Sequence, residues 1–262
     1  SHPGVVDQID VFTHKIAHNP KSAELYMRRG LAYSDNAQYT LALADFHTAG
    51  AMGNPQALGH DIGVVYYRMG NFEKALHYFD AFLDQFPRSF PTYEYRARVK
   101  RDMGNNPGAV ADLERYFTLV DKPDPGHYVG AADMLAQMNG NSADAALALL
   151  DRGIAALGVI PQLQRRAIAL ERGQGRMAQA IERMQTLEPV LGSSPAWQVD
   201  MAELLIQAHR KDDAQKRLEV AHSRLAGLRV TTALFTLSTP VAPRHPDTPR
   251  LPPWQQTSDL YH

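Results

Sequence analysis

Residues 56–89, with the sequence QALGHDIGVVYYRMGNFEKALHYFDAFLDQFPRS, decide the fold of this chain. Apolar residues recur at helical spacing on both sides of Gly70-Asn71, a dipeptide typical of turns, so the stretch predicts two short helices joined by a tight connection. Pro87 follows the second apolar run and predicts its end, because proline cannot continue a helix. The stretch is therefore a helix–turn–helix unit of about 34 residues.

Small and large residues alternate between the two predicted helices in a way that favours close packing. Gly63 on the first helix lets Ala75 on the second helix approach it, while Tyr66 and Phe79 fill the space on either side. We therefore expect Gly63 and Ala75 to touch.

The preceding stretch repeats these residue types at matching offsets and so predicts a second unit in the same register. Its members are Tyr26, Gly30, Tyr33, Ala42 and Phe46, with Asn54-Pro55 at its end. A generic helical bundle would explain the helical spacing of the apolar residues, but it would not explain this shared register.

Downstream the period persists, and we count six units in all. Turn signals recur about every 35 residues at Gly104-Asn105, Gly140-Asn141 and Gly175-Arg176. The third unit is marked by Tyr93, Ala97, Ala109 and Leu113, and the later units by Ala145, Ala180 and Ala214, followed four residues on by Leu149, Met184 and Leu218.

The register of residues 56–89 resembles the tetratricopeptide repeat (TPR) pattern L-G-x-x-Y…A-x-x-x-F…P. The matching residues are Ile62-Gly63, Tyr66, Ala75, Phe79 and Pro87, and only the leading aromatic residue is replaced, by Gly59. The resemblance covers about residues 20–227 and is to the bacterial-type TPR scaffold proteins. It implies an all-α fold in which about six helix pairs form a right-handed superhelix, or α-α solenoid.

The chain is expected to have three segments. Residues 1–22 form an N-terminal capping helix, residues 23–227 form the TPR-like solenoid, and residues 228–262 form an extended, proline-rich C-terminal tail. The helical cap is predicted because Val5 to His18 carries apolar residues along one side.

Composition excludes several functional classes. A net charge of -1 provides no field that would attract nucleic acid, and the absence of cysteine excludes thiolate catalysis, disulfides and cysteine-ligated metals. No apolar run is long enough to span a membrane, so we expect a soluble protein. The chain begins at Ser1 rather than methionine, which indicates that an N-terminal segment was left out or was removed in processing. A removed signal peptide would be one cause, and it would favour an exported or periplasmic location.

The family resemblance also implies where a partner would bind, because the first helix of each TPR unit lines a concave groove. The inward positions predict a partner-binding set of Met27, His60, Val64, Tyr67, Glu94, Arg98, Arg101 and Arg165. An extended peptide is the expected ligand, because arginine binds carboxylates and a neighbouring aromatic ring can hold an apolar anchor side chain of the peptide. Alternatively, Arg98 and Arg101 are merely solvated.

One specialised TPR function is not expected. Some family members bind a chaperone's C-terminal carboxylate through Lys, Asn, Asn, Lys and Arg at fixed groove positions. This chain has Met27, Leu31, Asp61, Pro91 and Tyr95 at those positions.

Nothing in the sequence predicts an enzyme, a metal site or a cofactor. His14 and His18 lie four residues apart on a predicted helix and could share a metal, but no third ligand is evident nearby. The phosphate-binding glycine motifs and the G-x-S-x-G motif are absent.

The C-terminal tail has a proline at every third position, which matches the three residues per turn of polyproline II. These prolines are Pro240, Pro243, Pro246, Pro249 and Pro252. Leu251, Trp254 and Tyr261 are the expected anchors of a docked tail, because large apolar side chains are costly to leave in water. A disordered terminus is the alternative.

Three functions are compatible with these observations. The first is a non-enzymatic scaffold whose groove holds an extended peptide or a partner protein. The second is a structural or assembly protein whose tail occupies its own groove or that of a neighbouring subunit, giving tail-mediated self-association. The third is a helical-repeat enzyme or a regulator tuned by a small ligand.

Overall fold

The computed structural model describes residues 3–138 and 142–238, and within these ranges all regular secondary structure is helical. A short 3-10 helix spans Pro55–Leu58. The α-helices are α1 (Pro3–His18), α2 (Ala23–Asp35), α3 (Tyr39–Met52), α4 (Gly59–Arg68), α5 (Phe72–Gln85), α6 (Phe90–Asp102), α7 (Asn106–Leu119), α8 (Pro125–Ala136), α9 (Ser142–Leu157), α10 (Pro161–Gly173), α11 (Met177–Thr186), α12 (Glu188–Leu191), α13 (Pro195–Gln207) and α14 (Lys211–Ser238).

The helices pack as consecutive pairs, which fall into two compact units, Ser1–Leu187 and Glu188–His262. In the first unit the pairs are α2/α3, α4/α5, α6/α7, α8/α9 and α10/α11, and α1 packs against α2. The second unit holds the pair α13/α14. The prediction of an all-α solenoid with about six helix pairs is confirmed.

Tight turns with a left-handed residue join the two helices of several pairs. Gly70, Gly104 and Gly175 have φ of +74°, +78° and +73°, a conformation that glycine adopts without strain. Ala37 and His209 take the corresponding place after α2 and α13, with φ of 58° and 60°. The turn therefore has the same left-handed conformation where another residue replaces glycine.

Glycine in the first helix of a pair makes room for an aromatic ring from the second. A Cβ atom on Gly63 would lie 2.5 Å from Cε1 of Phe79, and one on Gly30 would lie 2.7 Å from Cε1 of Phe46. Both rings are fully buried. The three atoms nearest to a Cβ on Gly63 all belong to the Phe79 ring, whereas the contact of Gly63 with Ala75 stays a prediction.

The fourth pair reverses this arrangement. Here the glycine is Gly153 on the second helix, and a Cβ atom on it would lie 2.9 Å from the ring of Tyr128 on the first helix. The Tyr128 ring stacks on Phe117 with a centroid distance of 4.0 Å. The same small-to-large contact therefore persists with its members exchanged between helices.

Ion pairs cross-link the two helices of the first and third pairs at equivalent positions. Arg29 binds both carboxylate oxygens of Asp45 at 2.7 and 2.8 Å, and Arg96 binds those of Asp112 at 2.9 and 2.6 Å. Both aspartate side chains are almost fully buried. Such pairs specify the register of the two helices, since a slip would leave a buried charge without its partner.

The second unit is organised around Trp197 on α13, which is 1% exposed. The guanidinium of Arg217 on α14 lies 5.4 Å from the indole centroid and also binds Glu188 at 2.7 Å. The indole Nε1 is buried and has no hydrogen-bond partner among the described residues.

The predicted start of the extended tail was wrong. Helix α14 continues to Ser238, so residues 228–238 are helical, because Val230 to Leu237 extends the apolar sequence of the helix up to the first tail proline. The proline-rich residues 239–262, including the predicted anchors Leu251, Trp254 and Tyr261, lie outside the described residues.

Candidate functional site

A cleft of about 320 Å³ lies in the first unit, where α4, α6 and α8 come together. These are the first helices of three successive pairs, so the cleft follows the stacking direction of the unit. It brings together four of the eight predicted binding residues, Tyr67, Glu94, Arg98 and Arg101. His127, Met134, Gly126 and Gly130 of α8 complete it, together with Ala97 and Leu113.

Tyr67 forms one wall of the cleft and is held in place at both ends. Its hydroxyl donates a hydrogen bond of 2.9 Å to Asp102 Oδ2, and its ring lies edge-on to Tyr95 at 6.1 Å. Burial and the nearby Asp102 carboxylate raise the pKa of Tyr67 above its ordinary value. The residue is therefore a fixed, neutral aromatic surface.

The two arginines of the cleft are half-exposed, but each already contacts a carboxylate of its own chain. Arg98 binds Glu94 one turn earlier on α6 and lies over the Tyr95 ring at 5.1 Å. Arg101 binds Asp102 at 2.9 Å. The exposed fractions of their side chains are 42% and 53%, so both guanidinium groups also face solvent. A ligand carboxylate would have to compete with these internal pairs.

His127 was not predicted from the sequence, yet it links the walls of the cleft. Its Nε2 lies 3.2 Å from Oε1 of Glu94, and its ring packs edge-on against Tyr116 at 4.9 Å. Its Nδ1 is buried without a hydrogen-bond partner among the described residues. The sequence does signal the start of the helix that carries His127, because Asp124-Pro125 is typical of a helix N-terminus. In the structure the Asp124 side chain accepts a hydrogen bond of 2.7 Å from the Gly126 amide and fixes the beginning of α8.

His60 lies beside the cleft at the joint between α4 and α6. Its Nδ1 is 2.9 Å from Oγ1 of the fully buried Thr92, and its ring lies 5.6 Å from Tyr95. Burial lowers the pKa of His60, although the Glu94 carboxylate opposes the shift. The residue therefore joins two helix pairs and does not line the cleft.

The other three predicted residues also lie outside the cleft lining. Val64 is 9% exposed and packs with Phe79 and Val99, because α4 and α6 meet closely at this level. Met27 packs against the apolar cluster of the first two pairs. Arg165 is exposed on α10 and makes no ion pair within the part of the chain that the structure describes.

Asp61 lies on α4 and is only partly exposed. Burial raises its pKa to about 6. The side chain makes neither a hydrogen bond nor an ion pair with any described residue.

A metal site finds no support among residues 3–138 and 142–238, where no three histidine, aspartate or glutamate side chains are grouped to hold an ion. His14 and His18 lie on exposed α1 with ring centroids 4.4 Å apart, and Nδ1 of His18 contacts the His14 carbonyl oxygen at 2.9 Å. Within the same ranges, none of the helices has the length and apolar character needed to traverse a lipid bilayer.

Comparison with solved structures identifies the fold. The C-terminal part of a TPR repeat-containing protein from Cytophaga hutchinsonii superposes with a TM-score of 0.67 at 16% identity, covering 86% of this chain and 90% of that one. A tetratricopeptide repeat protein from Parabacteroides merdae gives a TM-score of 0.51 at 15% identity, covering 89% of this chain and 91% of that one.

A third similar structure is PilF from Pseudomonas aeruginosa, with a TM-score of 0.51 at 16% identity, covering 76% of this chain and 99% of that one. No protein-family model matches the sequence, and the comparison with curated proteins gives no match. The likeness is therefore one of fold, and the chain has the TPR fold that its glycine, alanine and aromatic register predicted.

Proposed function

We propose that this chain is a non-enzymatic protein-interaction scaffold, and that the cleft between α4, α6 and α8 binds an extended segment of a partner protein. The observation that carries the proposal is the lining of the cleft, which combines a fixed aromatic wall at Tyr67 with the half-exposed guanidinium groups of Arg98 and Arg101. An extended segment suits such a surface, because only a few of its side chains need to contact the cleft as anchors.

The charges of the cleft favour a ligand with mixed chemistry. Arg98 is offset by Glu94 and Arg101 by Asp102, so the cleft carries paired charges rather than a large net field. Half-exposed ion pairs contribute little to stability and exchange their partners at low cost. A bound segment can therefore take over one guanidinium group with a carboxylate or carbonyl oxygen, while an apolar side chain contacts Tyr67 and Met134.

Gly130 allows the cleft to be filled without disturbing the helix packing. It lies in α8 on the cleft lining, and a Cβ atom added to it would meet no atom within 4 Å. We expect Gly130→Trp to occupy the cleft and to weaken binding of peptides selected from a random library by about tenfold or more. Fluorescence anisotropy with labelled peptides measures this change.

Gly173→Trp is the matched control, because Gly173 also has open space around it but lies at the end of α10 and outside the cleft lining. This variant should bind the same peptides as the unmodified protein does. The double variant Arg98→Ala/Arg101→Ala should weaken peptide binding, whereas the single variant Arg165→Ala should not. Peptides that bind Gly130→Trp at full strength would place the binding surface elsewhere.

A further inference from the structure

Asp61 differs from every other buried or half-buried carboxylate in the described residues, because it alone has no cation beside it. The buried carboxylates Asp45, Asp112 and Glu171 bind arginines at 2.6 to 2.7 Å. The half-buried ones are paired as well, as with Asp133 and Arg166. In the described part of the chain, every other desolvated acid thus has a cation beside it.

Asp61 lies on the side of α4 that faces away from the second helix of its pair. Gly63 contacts the Phe79 ring of α5, which fixes the direction of that helix. Asp61 precedes Gly63 by two residues and is therefore turned about 200° from it around the α4 axis. Arg68, on the same side of α4, contacts Ser34 and Asp35 of α2, so Asp61 lies on the side of α4 that is directed toward the first helix of the preceding pair.

Within residues 3–138 and 142–238, no cation is placed to neutralise Asp61. Arg68 lies seven residues later on the same side of α4, about 10 Å away along the axis. Its guanidinium is bound to Ser34 and Asp35 of α2 at 2.9 and 3.0 Å. On α2 itself, Arg28 binds Glu24 and Arg29 binds Asp45.

An ionised carboxylate in this position is only partly solvated and has no counter-ion among the described residues, which is an unfavourable state. Burial raises the pKa of Asp61 to about 6, so the group is still mostly ionised at neutral pH. A cation supplied from outside the chain would restore the missing interaction and would favour the charged form.

We propose that Asp61 is the binding site for a cationic group, an ammonium or a guanidinium, of a partner polypeptide that extends from the cleft across α4 toward α2. This inference rests on the proposed function, because the bound segment delivers the cation. A segment that fills the cleft and continues across α4 toward α2 passes Asp61. The partner segment therefore carries a lysine or arginine beyond the residues that occupy the cleft.

The test uses the full chain and two small probes, N-acetyl-arginine methylamide and the citrulline analogue, which has the same shape but no charge. Carbon-detected NMR follows the Asp61 carboxyl through a pH titration with each probe. We expect the arginine probe to lower the pKa of Asp61 by roughly 1 unit and the citrulline probe to leave it unchanged. Equal titration curves with both probes would overturn the proposal.

Two variants separate this site from other acids of the chain. Asp61→Asn should remove the amide shifts that the arginine probe causes in α4, and Asp84→Asn, at an exposed acid on α5, should retain them. Arginine-induced shifts in α4 that persist in Asp61→Asn would also overturn the proposal.

The two proposals fail in different ways. The small probes do not need the cleft, so Gly130→Trp should leave the arginine response of Asp61 intact while it weakens peptide binding. Peptide binding without an arginine response at Asp61 would refute only the proposal that Asp61 binds a cation. An arginine response at Asp61, combined with full peptide binding by Gly130→Trp, would refute only the proposal that the cleft binds the partner segment.

Discussion

Gly63 is the residue at which the packing of a helix pair is most sensitive to one added carbon. Gly63→Ala places a Cβ atom 2.5 Å from the fully buried Phe79 ring, which has little room to move. We expect the free energy of unfolding to fall by about 1–3 kcal/mol. Urea unfolding followed by circular dichroism measures this loss.

Gly130→Ala is the control, since a methyl group there meets no neighbour and alanine favours a helix interior. This variant should be as stable as the unmodified protein or about 0.5–1 kcal/mol more stable. If both variants behave alike, glycine at position 63 is not required for close packing.

Asp61 gives the protein a pH dependence of known sign. Its pKa in the folded chain is about 6 instead of 3.8, so folding favours its protonated form. The stabilising contribution is complete below pH 3.8 and is lost as the pH rises through 6. Asp61→Asn mimics the protonated form and should be more stable than the unmodified protein by about 3 kcal/mol at neutral to alkaline pH.

The difference between these two proteins should vanish as the pH falls toward 4, and urea unfolding at several pH values measures it. His60 has the opposite sign, because its pKa is lowered by burial and its contribution is lost as the pH falls below its ordinary value. Both proteins contain His60, so its effect cancels in the comparison. A stability difference that does not change with pH would contradict the burial of Asp61.

The sequence predicted the packing residues better than the binding residues. Gly63 and Phe79 follow a shared register because close packing restricts each position to few side chains. Val64 was predicted to face the groove but is buried, since its exposure depends on how closely α4 and α6 approach. His127 was missed because its role depends on Glu94, thirty-three residues earlier, and no local pattern records such a contact.

At the scale of helices, the Arg96–Asp112 pair is the interaction that joins α6 to α7 most specifically. Asp112→Asn removes the charge that compensates Arg96, whose side chain is only 17% exposed. We expect a loss of about 3 kcal/mol in unfolding free energy, because Arg96 and Lys100 would both lose the buried carboxylate that they bind, and only the exposed Asp80 would remain beside Arg96. Thermal and urea unfolding both measure this loss.

Asp80→Asn is the matched control, because Asp80 binds the same arginine at 2.7 Å from a side chain that is 60% exposed. Exposed pairs contribute at most about 1 kcal/mol, so this variant should remain close to the unmodified protein. Equal losses from the two variants would show that the buried carboxylate has no special role.

The helix turns show why the later pairs were harder to recognise in the sequence. The turn after α13 uses His209 where the turns after α4 and α6 use Gly70 and Gly104, yet the backbone takes the same left-handed conformation. A turn prediction that relies on glycine does not identify such a position. The helices themselves were still predictable, because Trp197 and Met201 keep the helical spacing of a buried face.

At the scale of the whole molecule, the division into Ser1–Leu187 and Glu188–His262 was not predicted. The division coincides with α12, a four-residue helix between the fifth and sixth pairs. Four residues are too few to show a period, so periodicity analysis continued the repeat across this point. The six helix pairs were predicted because each pair has its own apolar faces, whereas the grouping of pairs depends on contacts between them.

The burial of Trp197 gives the two units separate optical labels. Both tryptophans of the chain lie in residues 188–262, and every tyrosine except Tyr261 lies in residues 1–187. In a Trp254→Phe variant, indole emission reports only on the environment of Trp197 in the second unit. Circular dichroism, by contrast, sums over all helices. Recording both signals during one denaturant titration therefore distinguishes a single cooperative transition from two successive ones without attaching any dye.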